Sequence, residues 1–204
     1  MNEQPAKVVC VMGVDGSGKS TVTEHLAAAY RERGYTVDIL WLRYNHFFSK
    51  PLLGFCRLIG LTEYKSIGEH RVGYHHFYRS RIVSSLFAYL QYLDALRVKL
   101  LRLGPLLKKK NHVVILDRYV YDILVDVAVD TRRYHIADEG IGLKLIDLMP
   151  KHASKLLIRR SWEDVLSVRP EAAVDDFFRD RFEQFDKIAT MEGVVTAENN
   201  GSLQ

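Results

Sequence analysis

Lys7–Ser20 reads KVVCVMGVDGSGKS. Its first six residues form a continuous apolar run that ends in glycine, the pattern of a strand buried on both faces in a parallel sheet. Behind the glycine-rich turn, Lys19–Arg33 places Val22, Leu26, Ala29 and Tyr30 at helical spacing, and Gly34 stops the helix. Thr36–Leu42 (TVDILWL) then returns as a second strand by its β-branched and apolar content. A strand, a helix and a strand in so few residues form a βαβ unit, which requires a right-handed crossover and parallel strands.

The same alternation continues outward. Arg43–Gly73 is broken by glycines and a proline and reads as loop with one or two short helices. Tyr74–Leu103 keeps Ile82, Leu86, Tyr89, Leu90, Leu93, Leu96, Leu100 and Leu103 on a helical stripe that Gly104-Pro105 should end. Val113–Leu116, Lys155–Ile158 and Val194–Thr196 are read as strands, and Ala137–Met149, Glu163–Val168 and Asp175–Met191 as helices, the last with Asp175 as its N-cap. Glu198–Gln204 is a turn-rich tail. The fold expected is α/β: a single domain over residues 1–204, three-layered, with a five-stranded parallel sheet flanked by helices.

With 204 residues, 48% hydrophobic and 26% charged, the chain suits one ordinary domain and excludes long disorder, collagen repeats and coiled coil. Cys10 and Cys56 build no disulfide framework, so small core residues in a reducing setting are expected. No run of apolar residues reaches spanning length, and the start MNEQPAK has none of the features of a secretory leader, so a cytoplasmic location is expected.

The net charge of +4 hides an asymmetry. Arg43–Lys110 carries 13 Lys/Arg against three acids, while the remainder is net acidic. A middle third this positive suggests an anionic partner: nucleic acid, a membrane surface or a phosphorylated small molecule. The cations are interleaved with apolar helix positions and no DNA or RNA motif is present, so no nucleic-acid partner is expected.

Gly13-Val14-Asp15-Gly16-Ser17-Gly18-Lys19-Ser20 fits G-x-x-x-x-G-K-[ST] in the strand–helix context that its mechanism needs. Glycines let the backbone wrap a phosphate, N–H groups at the helix start donate to it, Lys19 reaches the β- and γ-phosphates, and Ser20 holds Mg²⁺. An N-K-x-D guanine signature is absent. The strand Val113–Leu116 ends in Asp117-Arg118-Tyr119. Asp117 is thereby put at the carboxyl end of a parallel strand, where it can enter the Mg²⁺ shell, and Arg118 can grip a phosphoryl group in bidentate fashion.

VVCVMGVDGSGKSTVTEHLAAAYRERGY with VVILDRYVYD resembles the thymidylate kinases and their thymidylate kinase-like relatives, P-loop kinases of nucleoside monophosphates, from Lys7 to about Thr196. The resemblance implies ATP with Mg²⁺ as donor, held by Gly13, Asp15, Gly16, Ser17, Gly18, Lys19, Ser20 and Thr21. It implies a nucleoside monophosphate as acceptor, dTMP first, with Asp15 orienting the acceptor side and Arg118 near the phosphates. Where the family has Arg-Glu-Pro-Gly this chain has Leu42-Arg43-Tyr44-Asn45, which keeps the arginine alone. Residues 43–110 form the expected acceptor-binding part, with Arg43, Tyr78, Asp94, Arg97, Arg118 and Tyr119 as its contacts, and an intrahelical Asp94–Arg97 pair as the alternative for those two. Residues 161–175 look like a short lid with Arg169 as its arginine; Arg159, Arg160, Arg179 and Arg181 are alternatives for that role, with the surface as the first expectation for each. A homodimer is expected. The alternatives are a P-loop kinase of a deoxynucleoside or phosphorylated metabolite, and a nucleotide-switched binder of nucleic acid or anionic surfaces.

His70, His75 and His76 cluster without zinc spacing. Phe47–Leu61 (FFSKPLLGFCRLIGL) is apolar with three cations, and packing into the fold is the expectation, with an acceptor lid, a dimer surface or a membrane-surface element as alternatives.

Overall fold

The computed structural model describes residues 4–43, 45–67 and 70–199. Its centre is a five-stranded sheet of β1 (Lys7–Met12), β2 (Thr36–Trp41), β5 (His112–Asp117), β6 (Ser154–Arg159) and β7 (Val194–Glu198). All neighbours are parallel, in the order β2-β5-β1-β6-β7. The chain thus builds outward on both sides of β1, and the crevice beyond the strands' carboxyl ends is where such sheets bind ligands.

The two central strands feed two cores, because successive side chains face opposite sides. Val9, Val11, Val113 and Ile115 pack with Ala27 of α1 (Lys19–Glu32) on one face. Val8, Cys10, Met12, Val114 and Leu116 join the larger cluster on the other. That cluster is supplied by α3 (Arg81–Val98), α5 (Val120–Thr131) and α8 (Asp176–Ala189), which completes the three-layer α/β architecture expected from sequence. Ser80 caps α3, and Asp175 caps α8 by accepting from the Phe178 N–H at 3.1 Å, as expected.

Three stretches differ from the expectation. Thr62–Ile67 (β3) and His70–His75 (β4) pair as antiparallel strands where loop and short helix were expected; among the described residues of that stretch only α2 (Lys50–Leu58) is helical. Tyr74 and His75 therefore belong to a strand, and the long helix starts at Arg81 instead. Gly104-Pro105 does not stop it. A π-helical turn over Lys99–Leu103 passes into α4 (Gly104–Leu107), since proline in a first helical turn has no hydrogen bond to lose.

The third difference is α5, which sequence reading leaves without an element. Nearly every residue from Val120 to Thr131 is buried, so the helix has no solvent face to mark it in the sequence. The remaining elements, α6 (Gly140–Ile146), α7 (Trp162–Val168) and the strands β6 and β7, fall within the expected segments or extend them by a residue or two. Of the expected tail, residues 200–204 lie outside the described residues, as does Tyr44. Among the described residues no helix is long and apolar enough to cross a membrane.

Candidate active site

Between β1 and α1 the backbone turns through Gly13–Gly18 at the carboxyl edge of the sheet. Gly13 is fixed by backbone crowding as well as by φ, whereas Gly18 is fixed by φ and meets only a side-chain tip. A Cβ at Gly13 (φ 141°) would come within 2.5 Å of the Ile158 carbonyl oxygen of β6, and one at Gly18 (φ 93°) within 2.3 Å of the Asn199 amide. That amide donates to the Ser17 carbonyl at 2.9 Å, and the Arg160 guanidinium donates to the Gly16 carbonyl at 3.1 Å, so the turn is held from outside. The Ser17 hydroxyl is buried without a hydrogen-bond partner.

Lys19 folds back over this turn. Its side chain is 5% exposed, its ammonium donates to the Val14 carbonyl, and Asp15 Oδ1 lies 3.9 Å away. Burial, and the nearby Arg118 cation, lower its pKa to about 8. Ser20 and Thr21 follow in the first turn of α1, where Ser20 is exposed.

Asp15 is the hub of the site. Arg118 donates to Oδ1, and Arg43 and Arg169 bring guanidinium nitrogens to 3.3 and 3.5 Å from Oδ2. Burial alone would raise this carboxyl, yet Arg118, Arg43 and Lys19 outweigh it and hold Asp15 well below the usual carboxylate range. Arg118 reaches it from a left-handed backbone (φ 62°) immediately after β5, an uncommon conformation for a side chain of this size. Its main-chain N–H donates to the Val11 carbonyl at 3.2 Å, which ties the strained residue to β1.

The side of the site that sequence reading missed comes from α5. Asp122, Asp126 and Asp130 recur at every fourth position and so lie on one helix face. Asp126 takes Arg43 in a two-pronged bond, Nε at 3.1 Å and Nη2 at 3.0 Å, and Arg181 Nε at 3.0 Å. Arg181, expected first at the surface and otherwise as a substitute lid arginine, is mostly covered on α8, its side chain 17% exposed, with Nη2 3.6 Å from Asp130. Asp122 lies 3.6 Å from Arg118, and neither of its oxygens has a hydrogen bond. Burial raises Asp122 to about 7 against the pull of Arg118, Lys19 and Arg43, and raises Asp130 to about 8 against Arg181. Asp126 also feels burial, but Arg43 and Arg181 keep it below its ordinary value. The one sequence signal for this row was the period of four in its aspartates.

Asp15, Arg43, Arg118, Asp122, Asp126, Arg169 and Arg181 line a cavity of about 270 Å³. Asp15, Arg43, Arg118 and Arg169 stand at one end, while Val72 and Gly73 of β4 and Phe178 and Phe185 of α8 supply apolar surface elsewhere on its wall. Arg169 follows α7 and is held by Glu171 at 3.1 Å, within the short segment expected to form a lid. The arrangement pairs four guanidiniums with a row of carboxylates at the end of a glycine-rich turn, so it can bind anions and hydroxyl-bearing groups side by side.

Four residues expected at the acceptor are engaged elsewhere. Asp94 accepts from the main-chain N–H groups of Phe47, Phe48 and Ser49 at 2.7–3.1 Å and from the Ser49 hydroxyl at 2.5 Å, anchoring the start of α2. It makes no pair with Arg97, whose guanidinium stacks on the Phe47 ring at 4.5 Å. The buried Tyr119 hydroxyl donates to the Ala95 carbonyl at 3.1 Å. Tyr78 packs under the Arg132 guanidinium at 3.9 Å, with its hydroxyl 3.3 Å from His76 Nδ1. None of the four lines the cavity.

Of the two donors expected for a divalent cation, Ser20 is exposed and Asp117 has its Oδ1 buried without a hydrogen-bond partner at the end of β5. Two such donors suit Mg²⁺, which keeps several waters and takes phosphate oxygens for the rest of its shell. Among the described residues no group of three His, Cys, Asp or Glu could hold a metal by itself; the side chain of His70, one of the three clustered histidines, lies outside the described part. No family model and no curated protein matches the chain.

Proposed function

We propose that the chain is an ATP-dependent phosphotransferase of the thymidylate kinase-like kind, transferring the γ-phosphoryl of ATP directly to an acceptor in the arginine–aspartate cavity. One observation carries this reading: the buried Lys19 lies against the glycine-rich turn, in contact with the same Asp15 that gathers Arg43, Arg118 and Arg169. Donor phosphates on the turn and an acceptor in the cavity would then meet beside those cations. Lys19 and the N–H groups of Gly13–Thr21 hold the donor; Arg118 and Arg169 offset the charge that spreads over the transferred group. Ser20 and Asp117 would hold Mg²⁺, whose charge screens the phosphates from one another.

The acceptor proposed first is dTMP, yielding dTDP. A second reading, a kinase of a deoxynucleoside or another phosphorylated metabolite, is favoured by one observation: Tyr78, Asp94, Arg97 and Tyr119 are spent on structural contacts, and the cavity is built by β4, α5 and α8 instead. A cytoplasmic homodimer belongs to the same proposal.

A coupled assay of ADP release, run over dTMP, dUMP, other monophosphates, nucleosides and sugar phosphates, decides between the two. Turnover with dTMP well above the blank supports the first; turnover with another acceptor alone supports the second. Lys19→Ala is expected to abolish ADP release with every acceptor, and appreciable activity in that variant would sink the mechanism.

A further inference from the structure

From Phe47 to Tyr64 the chain exposes six large apolar side chains: Phe47, Phe48, Phe55, Leu58, Ile59 and Tyr64. Leu58 is 86% exposed and Phe55 54%. The sequence-based expectation of packing therefore holds for only one side of this segment. Cys56 is fully buried and Leu52 and Leu53 pack on the main core, whereas Pro51, Phe55, Leu58 and Ile59 recur at the spacing of the opposite face of α2.

This face is held outward by specific bonds. The carboxylate of Asp94 fixes the N–H groups of Phe47, Phe48 and Ser49 ahead of α2, and the Leu61 N–H donates to the Cys56 carbonyl at 2.8 Å behind it. The segment is thus pinned at both ends with its apolar residues in water. Contiguous exposed apolar surface of this kind marks an interaction site.

Charge identifies the partner. Lys50, Arg57 and Lys65 are exposed among the apolar side chains, and Arg57 lies 5.4 Å from the centre of the Tyr64 ring. Between Asn45 and Ile67 the one acid is Glu63, and Lys65 sits 3.9 Å from it. Two-fold pairing with a second copy would bring these cations onto their own images, each within a middle third of local charge +10. A surface that is apolar within and negative at its face satisfies both sets of groups. Aromatic and aliphatic residues on one side of a short helix, with Lys and Arg beside them, are the composition of an interfacial element.

We infer that α2 and its flanks, Phe47–Lys65, dock the protein peripherally on an anionic lipid bilayer, with Phe55, Leu58 and Ile59 entering the acyl boundary and Lys50, Arg57 and Lys65 meeting acidic headgroups. The attachment is reversible, since the apolar surface is small and each cation near such a membrane contributes only about 1 kcal/mol. The cleft does not take part: none of these residues lines it.

Flotation of the purified full chain with phosphatidylcholine–phosphatidylglycerol vesicles, against vesicles of phosphatidylcholine alone, tests this. The protein should float with the anionic vesicles, remain behind with the neutral ones, and be released by salt. Lys50→Ala with Arg57→Ala, both at exposed positions, should weaken partitioning roughly thirtyfold, about fivefold per cation. Phe55→Ser with Leu58→Ser should weaken it at least about tenfold, with far-UV circular dichroism checking the fold. Failure to float with anionic vesicles, or variants that float as the parent does, overturns the inference. So does a dimer in sedimentation that Phe55→Ser with Leu58→Ser converts to monomer, which would assign the face to a second copy.

Discussion

Asp126 carries two arginines on one carboxylate, Arg43 with two nitrogens and Arg181 with one. Removing its charge leaves both cations inside the protein without their main counter-ion, a loss that costs far more than a surface pair. Asp126→Asn is expected to destabilise the fold by about 3 kcal/mol in urea unfolding, whereas Lys65→Ala, which breaks an exposed pair with Glu63, should change it by less than about 0.5 kcal/mol. Asp130 behaves in the opposite sense. Burial raises it from its ordinary 3.8 to about 8, so between those values the folded chain keeps a proton that the unfolded chain has released. Its contribution to stability is whole below about pH 4 and is lost as pH rises to about 8; Asp122, raised to about 7, adds to the same decline. Asp130→Asn cannot titrate, so its urea midpoint should fall less over this range than that of the parent. An equal fall in the two proteins would show that Asp130 ionises normally in the fold.

At the scale of elements, the most crowded of the described glycines is in α6. A Cβ on Gly142 would lie 1.8 Å from the Ile136 carbonyl oxygen, in backbone rather than in a side chain able to swing away. Gly142→Ala is therefore expected to cost about 3 kcal/mol despite alanine's better helix propensity, read as a lowered melting temperature. Gly140→Ala, two residues earlier with nothing within 4 Å, serves as the control and should be near neutral or slightly stabilising. The sequence is legible wherever an element has contrasting faces or a punctuating residue. β1 announces itself by its unbroken apolar run, α1 by its stripe and Gly34, and α8 by Asp175. α5 was silent for the reverse reason: buried nearly all round, it has no solvent-exposed face and no N-terminal side-chain cap, and its valines suit a strand as well as a helix. The β3–β4 pair was missed because its pairing is set between strands, not within either. The candidate site divides in the same way. Asp15, Lys19, Arg43, Arg118 and Arg169 come from motifs that sequence displays, whereas Arg181 acquires its place only when α8 packs on α5. The main-chain hydrogen bonds of Asp94 and Tyr119 were not legible, because a polar group on an apolar helix looks the same in sequence whether it serves a ligand or a neighbouring main chain.

For the whole molecule, the proposed donor site makes nucleotide binding a stability measurement. A ligand at about a hundred times its dissociation constant adds roughly 2.7 kcal/mol to the folded state, which in a domain of this size raises the melting temperature by roughly 5–10 °C. Mg·ATP should produce that shift in the parent protein and none in Lys19→Ala. A shift that survives in the variant would place the nucleotide elsewhere. The acidic and basic halves of the cleft also neutralise one another in the free protein, so an anionic ligand has to draw Arg118 and Arg169 partly away from Asp15. Binding should accordingly weaken with salt less steeply than at an open basic patch.

The strand order has a bearing on how the chain is made. β1 and β2 follow one another in sequence with α1 between them, yet they are not neighbours in the sheet: β5 lies between the two, and β2 pairs with nothing else. During synthesis the first forty residues thus supply two strands with no partner until His112–Asp117 has left the ribosome. Over that interval the apolar run of β1 has no neighbouring strand to cover its edges, the condition under which nascent chains recruit chaperones. A ribosome-bound chain truncated before His112 should be readily cut by protease within β1 and β2, and one extended past α5 should resist.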